Sequence, residues 1–438
     1  MARRKSIAIK PELEALIRPR RLNQLGRQSG FIRRQRKIKL VPFIWSLILG
    51  FGAGQRRTIA SLRRLYEAET GQRIVPSAFY DRFTPALAKL LRMLIAETIT
   101  KMVAEPQRRL RGTLAGFRDL LVADASVIKL HDLLASKYPG TRSNSPAAAK
   151  LHMVMSVNSA GPRSVSFTSE RVNERRRLKL GPWLAGRLLL FDLGYYCHAL
   201  FDRIDHHGGF FISRLHSNVN AEIKAVHLRH RGQSIDLQGL RIRDVLGRLH
   251  RQVIDCEAEL RVQRRRYRGK ASSAKRSFRL VGVRNEETGQ YHLYVTNIPV
   301  ESLSAEQVAT SYRARWEIEL IFRELKSFIR LDDLPSRKAE AVECFFYASI
   351  LALIVSRRLL WAVRRKLGQL ASRVTHMRWT SLFRNHALAI LTVMVNPPRH
   401  TKIRRSRLGV CLVRQAVDPH VNRPGLLTQI EWPEEALA

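Results

Sequence analysis

Apolar residues recur in two rhythms along this chain of 438 residues, and the change between them divides it. Over Thr58–Gln72 and Thr84–Glu105 they return every three or four positions, which predicts two amphipathic helices. Gly71 ends the first. Thr84 stands at an N-cap position and Pro85 at the first helical position, where its missing N–H is no loss. From Leu120 the rhythm shortens to runs with β-branched residues: Leu120–Leu130, Leu151–Asn158, Ser164–Ser169, Leu188–Tyr196 and Gly209–Leu215. A helix-length segment, His198–His207, separates the last two. Three strands, a connection, then strand–helix–strand predict an α/β fold on a mixed sheet. Beyond Asn220, Gln252–Val262 and Ser277–Ile298 read as antiparallel strands, the second turning near Glu286–Gln290. From Leu303 to about Gly368 the pattern is helical again, and Ser304 with Gln307 gives a capping-box signal.

Charge changes the picture. There are 78 Lys+Arg against 36 Asp+Glu, a formal net charge of +42. An excess of that size makes a folded chain repel itself unless it meets a polyanion, so nucleic acid is the expected partner. Basic residues cluster at Arg33, Arg34 and Arg36, and again over Arg261–Arg279, which has nine basic residues and no acid. The second run centres on Arg264, Arg265, Arg266 and Arg268. A solvated loop and a phosphate-contacting arm both fit it. In this basic setting the two N-terminal helices read either as a helix-turn-helix-like DNA reader or as an ordinary bundle.

Other classes fall away. The four cysteines lie far apart without a CxxC pair, so neither a disulfide framework nor a zinc ribbon is supported. His198, His206, His207 and His216 have no HExxH or paired Cys beside them. The apolar runs Leu40–Gly54 and Cys344–Val355 fall short of the roughly 20 residues a membrane span requires. Both are expected to be buried helices of a soluble, cytoplasmic protein.

Asp124 and Asp192 each close an apolar run, on a strand expected to be buried. An ionised carboxylate there is costly unless it meets a cation or hydrogen bonds, and paired carboxylates at strand ends are how nucleases hold divalent metal. Taken singly, each also reads as a residue that merely marks where a strand leaves the core. Asp119 lies an odd number of residues from Asp124 and so faces the other way. Asp202 and Asp205 read as surface acids. The informative segment is Ser311–Leu331. At about 100° per residue, Tyr312, Arg315, Glu319 and Lys326 share an arc of about 60°. That arc adjoins a buried stripe of Ile318, Phe322, Leu325 and Ile329, while Glu317 and Glu324 turn toward solvent. An i,i+4 salt bridge accounts for Arg315 and Glu319, but not for Tyr312 and Lys326 on the same face.

This spacing, with Trp316 after the Arg and the continuation "FRELKSFIRLDDLPS", resembles the Tyr-Arg-Glu-Lys signature of bacterial DDE transposases of the fourth insertion-sequence family. "VADAS" and "DLGYY" resemble the segments carrying that family's two aspartates, and the β-rich stretch before Glu319 resembles its insertion. The resemblance covers Leu120–Ser356, weakens over the N-terminal "GFIRRQRKIK" and is thin at the C-terminus. It implies an RNase H-like core in which Asp124, Asp192 and Glu319 hold two Mg²⁺ ions, with Mn²⁺ able to substitute, for in-line phosphoryl transfer. It also implies that Tyr312, Arg315 and Lys326 grip phosphates, and that Trp316 either stacks a flipped base or packs in the core. Leu193 departs from the family, whose members commonly have Arg after the second Asp. The organisation expected is a basic helical DNA-binding region over 1–110, the first part of the core over 111–220, the insertion over 221–302, the Glu-bearing second part over 303–360 and a basic C-terminal region over 361–438. The partners implied are double-stranded DNA, as terminal inverted repeats and target, and a second protomer in a synaptic homodimer at the nucleoid. A stand-alone nuclease, or an inactive or structural DNA-binding protein, are the competing functions.

Overall fold

The computed structural model describes residues 5–34, 37–54, 58–105, 109–227, 229–230, 233–234, 236–263, 272–332, 334, 336–396, 402–420 and 430–431. Helices precede the sheet, among them α1 (Leu40–Gly52), α2 (Ile59–Thr70) and α3 (Pro85–Ala104). The side chains of Thr58 and Thr84 cap α2 and α3 as expected, and Gly71 ends α2 at φ +67°.

Ten strands form one sheet. In chain order they are β1 (Leu120–Lys129), β2 (Pro139–Arg142), β3 (Ser145–Ser156), β4 (Gly161–Ser169), β5 (Leu188–Phe191), β6 (Phe210–Arg214), β7 (Glu222–Val226), β8 (Val253–Gln263), β9 (Ser273–Arg284) and β10 (Tyr291–Thr296). The spatial order is β2-β3-β1-β5-β6-β10-β9-β8-β7, with β4 also paired to β3. The antiparallel hairpins β1–β3 and β3–β4 lead into the parallel pairs β1–β5 and β5–β6. This five-strand arrangement, with α4 (His198–His206) connecting β5 to β6, is an RNase H-like core. β10 pairs with β6, so the insertion lengthens the core sheet rather than standing apart from it. Its β9–β10 hairpin turns at Asn285–Gln290, as the sequence predicts.

The helical half of the chain follows. Ser304 makes both bonds of a capping box at the start of α5 (Ala305–Tyr312), which leads through a tight turn at Arg313–Arg315 into α6 (Trp316–Arg323). Two long helices follow, α7 (Ala339–Leu367) and α8 (His376–Val395), and a further helix, Lys402–Ala416, packs against them. Both pack with α1 and α3 in one apolar core, which joins the two ends of the chain. The run Cys344–Val355 is thus the middle of a 29-residue helix, long and apolar enough to cross a membrane. Length therefore does not settle its role, but 78% of its most apolar window is buried inside the fold. In the sequence the apolar run stops short of Arg357 and Arg358, because two adjacent cations read as a surface. Both are buried here: Arg357 pairs with Glu324, and Arg358 lies 2.8 Å from Glu12 and from Glu105.

Asp119 sits just before β1, 7% exposed, accepting a hydrogen bond from Ser156 Oγ at 3.0 Å. Burial pushes its carboxyl up to about 6, despite Ser156, Arg163 and Arg187 acting the other way. A carboxyl raised in the folded state favours folding fully below its unfolded value near 4, and that contribution is lost as pH rises through about 6. Asp119→Asn is therefore expected to stabilise the protein by about 1–3 kcal/mol at pH 8. The gain should vanish near pH 4, as checked by denaturant unfolding across that range.

Candidate active site

Parallel pairing of β1 with β5 sets Ala123 beside Phe191, so the next residues along, Asp124 and Asp192, stand together. Asp192 lies just past the carboxyl end of β5, and the chain leaves β1 and β5 in opposite directions across the sheet. In open α/β sheets such a switch point is where ligands bind. Asp124 is largely buried, and its Oδ1 accepts the Ala125 backbone N–H at 2.7 Å. Burial pushes its carboxyl up to about 6. Ala125 and Arg315 oppose this, while the negative charges of Asp192 and Glu174 add to it. Asp192 is exposed.

Helices α5 and α6 bring the third carboxylate. Arg315 bonds to Glu319 one turn on, and its Nη1 lies 3.6 Å from Asp124 Oδ2. One guanidinium thus links the strand carboxylate to the helix carboxylate. Tyr312 is buried, and its hydroxyl donates to the Phe191 carbonyl at 3.3 Å, which ties α5 to the strand end just before Asp192. Burial pushes the Tyr312 phenol up to about 12. Arg315 and Glu319 stay together, although the segment is not one regular helix: a tight turn at Arg313–Arg315 overwinds it and a π turn at Glu324–Phe328 underwinds it.

Other predicted residues fall elsewhere. Lys326 is partly buried inside the π turn; burial lowers its ammonium from the ordinary value and Asp332 works against that. Trp316 is 51% exposed, so it does not pack in the core. Glu324, expected on the solvent side, is 2% exposed. The wheel assumed one buried face, whereas α7 and α8 cover the back of this segment and supply Arg357 and His376. Asp202 is only partly exposed and pairs with Arg276 at 2.8 Å, and Asp205 accepts from Asn297 at 2.8 Å. Arg33 and Arg34 are exposed. Arg36, Arg264, Arg265, Arg266 and Arg268 lie outside the described residues. The ends of the Arg261–Arg279 run are strand residues with partners: Lys275 meets Glu259, Arg276 meets Asp202, and Arg279 is buried against Asp255. Arg279 is therefore no part of a phosphate-contacting arm. Neighbours on β8 and α4 supply the acids that the linear run lacks.

Three residues escape a reading of the sequence. A cleft of about 510 Å³ opens beside Asp192, lined also by Arg214, Arg313, His292, Tyr294 and Trp316. Arg214 and His292 come from β6 and β10, the seam between core and insertion, and lie 3.0 Å apart. Glu174 raises the Asp124 carboxyl while pairing with Lys150 at 3.2 Å. No local pattern marks Arg214 or Glu174, because each reaches the site through contacts distant in sequence, whereas Arg313 adjoins Tyr312 and lies off the arc read from the sequence.

Among the described residues, no three His, Cys, Asp or Glu side chains close into a metal cage. The donors nevertheless suit a hard divalent cation, being carboxylate oxygens. The like charges that help raise Asp124 are the environment a cation relieves. For Glu319 to join them, Arg315 must release it.

A parallel-strand switch point with paired aspartates, and a glutamate brought by a helix, defines the class: RNase H-like enzymes that act on polynucleotide phosphodiesters. Residues 115–355, more than half of the chain, match the family model described as "Transposase DDE domain". The transposase of insertion sequence IS231F from Bacillus thuringiensis subsp. israelensis is 23% identical, over 90% of this chain and 88% of that one. The IS231B transposase of subsp. berliner is 25% identical over 82% and 80%. A shorter match, 40% over 81 residues, links 18% of this chain to 22% of the putative IS186A transposase InsL of Escherichia coli. The piggyBac transposase synaptic complex with hairpin DNA covers 96% of this chain and 88% of that one, at a TM-score of 0.49 and 9% identity. The chain belongs to the DDE transposase family. It is a DNA-acting enzyme that depends on divalent metal, as that domain implies.

Proposed function

We propose that this transposase cuts at the inverted-repeat ends of a mobile element and joins them to target DNA, with Asp124, Asp192 and Glu319 as its metal-binding carboxylates. The observation that carries the reading is the adjacency of Asp124, midway along β1, and Asp192, just past the end of β5, with Glu319 one guanidinium away. Two Mg²⁺ ions, or Mn²⁺ in their place, would supply activation of water or a DNA 3′-hydroxyl and stabilisation of the leaving oxygen. The chain's own part is to hold DNA in line. Arg315, Arg313 and Arg214 offer guanidinium forks to phosphate oxygens along the cleft. Tyr312 fixes the helix against the β5 end, and the exposed Trp316 ring offers a stacking face at the cleft mouth. Lys326 supplies a further cation to the element's end. Arg33, Arg34 and Arg36 would hold DNA farther from the chemistry. Synapsis of two ends brings in a second protomer, at the nucleoid in the cytoplasm.

The test incubates the full-length protein with DNA flanking its own gene and Mg²⁺ or Mn²⁺, mapping nicks to the nucleotide. Cuts at the edges of an inverted repeat support the reading. Scattered metal-dependent cuts favour a stand-alone nuclease, and binding without cutting favours an inactive or structural protein. Replacing Arg264, Arg265, Arg266 and Arg268 by Gln is expected to weaken binding to every sequence alike. It should reduce the slope of log affinity against log salt by about 0.9 for each phosphate no longer neutralised. Weakening confined to one sequence would mark the cluster as a base reader.

A further inference from the structure

Between Glu319 and Lys326 the catalytic segment widens. Its backbone makes a π turn over Glu324–Phe328, with the Ile329 N–H donating to the Glu324 carbonyl at 2.8 Å. Such turns break helical register and are frequent at functional sites. This one carries a carboxylate into the protein interior. Glu324 pairs with Arg357 on α7, itself fully buried, and its Oε2 lies 3.0 Å from His376 Nε2 in the first turn of α8. Burial acts against the charged form, yet Arg357 and His376 outweigh it and hold the carboxyl below its ordinary value.

The turn is also gripped from the N-terminal side. Gly54, at φ +64°, follows α1 so closely that a Cβ there would stand 2.8 Å from the Phe328 carbonyl oxygen. The Arg384 guanidinium of α8 lies 5.9 Å from the centre of the Phe328 ring. Elements from both ends of the chain therefore converge on the turn that follows Glu319 and carries Lys326. Buried ion pairs add little net stability over apolar packing, so a fixed orientation is the better account of one here.

We propose that Glu324 is a positioning residue for DNA cleavage, its carboxylate tying the catalytic segment to α7 and α8 and so setting where Glu319 meets Asp124 and Asp192. This inference rests on the metal-binding role proposed for Glu319. Glu324 itself is 2% exposed, enclosed by Arg357, His376 and Thr380, and so offers no face to DNA.

The experiment uses full-length Glu324→Gln and the double variant Glu324→Met/Arg357→Met, which removes both members of the buried ion pair. Four quantities are measured: single-turnover cleavage of element-end DNA at saturation, DNA affinity, Mn²⁺ affinity from its EPR signal, and melting temperature. The expected result is a cleavage rate lower by about tenfold or more, as misplaced reacting groups produce. Mn²⁺ affinity should weaken while DNA affinity stays within about twofold of wild type, a split that misorientation predicts. A folded double variant with wild-type cleavage and Mn²⁺ affinity overturns the proposal, and it decides the matter if Glu324→Gln fails to fold. Equal loss of rate and DNA affinity also overturns it, as general disruption. Glu319→Gln runs alongside. If it cuts normally, the site reading has failed; if it is inert while the Glu324 variants are normal, only the positioning role has.

Discussion

Glu319→Gln should abolish cleavage at element ends while leaving DNA binding nearly intact. Gln keeps the size and one carbonyl oxygen, but not the charge that draws a divalent cation to the helix side of the site. The expected fall in rate is about 10³-fold or more, equivalent to about 4 kcal/mol of transition-state stabilisation. Binding should survive because the cations along the cleft, Arg214, Arg313 and Arg315, come from other positions. Loss of the Glu319 charge also frees Arg315 from its bond within the helix, so DNA affinity should hold or rise slightly. Nicking assays and gel-shift titrations on the same preparation separate the two effects. Equal activity in variant and wild type would remove Glu319 from the triad.

The largest effect on stability is expected at Arg279→Met. Arg279 donates from Nε and Nη2 to the two Asp255 oxygens at 2.8 and 2.6 Å, and both residues are 2% exposed. Its Nη1 reaches the carbonyls of Ile298, Pro299 and Leu303, at 3.1, 3.2 and 2.8 Å. One side chain thus clamps β8, β9 and the connection that delivers α5. Removing it strands Asp255 as a buried charge and leaves those carbonyls without their donor, which costs about 3–5 kcal/mol. Urea unfolding should show a lower midpoint at unchanged slope. Adding Asp255→Leu should restore most of that stability, because the stranded charge outweighs the absent hydrogen bonds. A double variant no better than Arg279→Met alone would place the cost at the three carbonyls.

Much of this arrangement can be read from local pattern. The runs ending in Asp124 and Asp192 are apolar because both faces of β1 and β5 are covered, and an acid after such a run stands out. The Ser304 and Thr84 caps are equally legible, since each satisfies backbone donors within four residues. The first half of β3 is not, because Ser145–Lys150 is mostly small residues, whose side chains suit close sheet neighbours but carry little strand signal. Glu324, Arg357 and Arg279 mislead for one shared reason. A lone charge reads as solvent-facing, and only a partner 24 or 33 residues away turns it inward. The Arg214–His292 seam is hidden in the same way, by strands paired across 78 residues.

The sheet's connectivity also sets a schedule. Asp124 and Glu319 stand 195 residues apart, and the strands that seat α5 include the last to be made. At about 5–20 residues per second, a ribosome spends tens of seconds between the first carboxylate and the third. Throughout that interval the nascent chain lacks the third carboxylate, and α7 and α8, which complete the core around α1 and α3, come later still. A chain broken inside the insertion would lack not only Glu319 but also α7 and α8, and would leave the apolar faces of α1 and α3 without the helices that cover them.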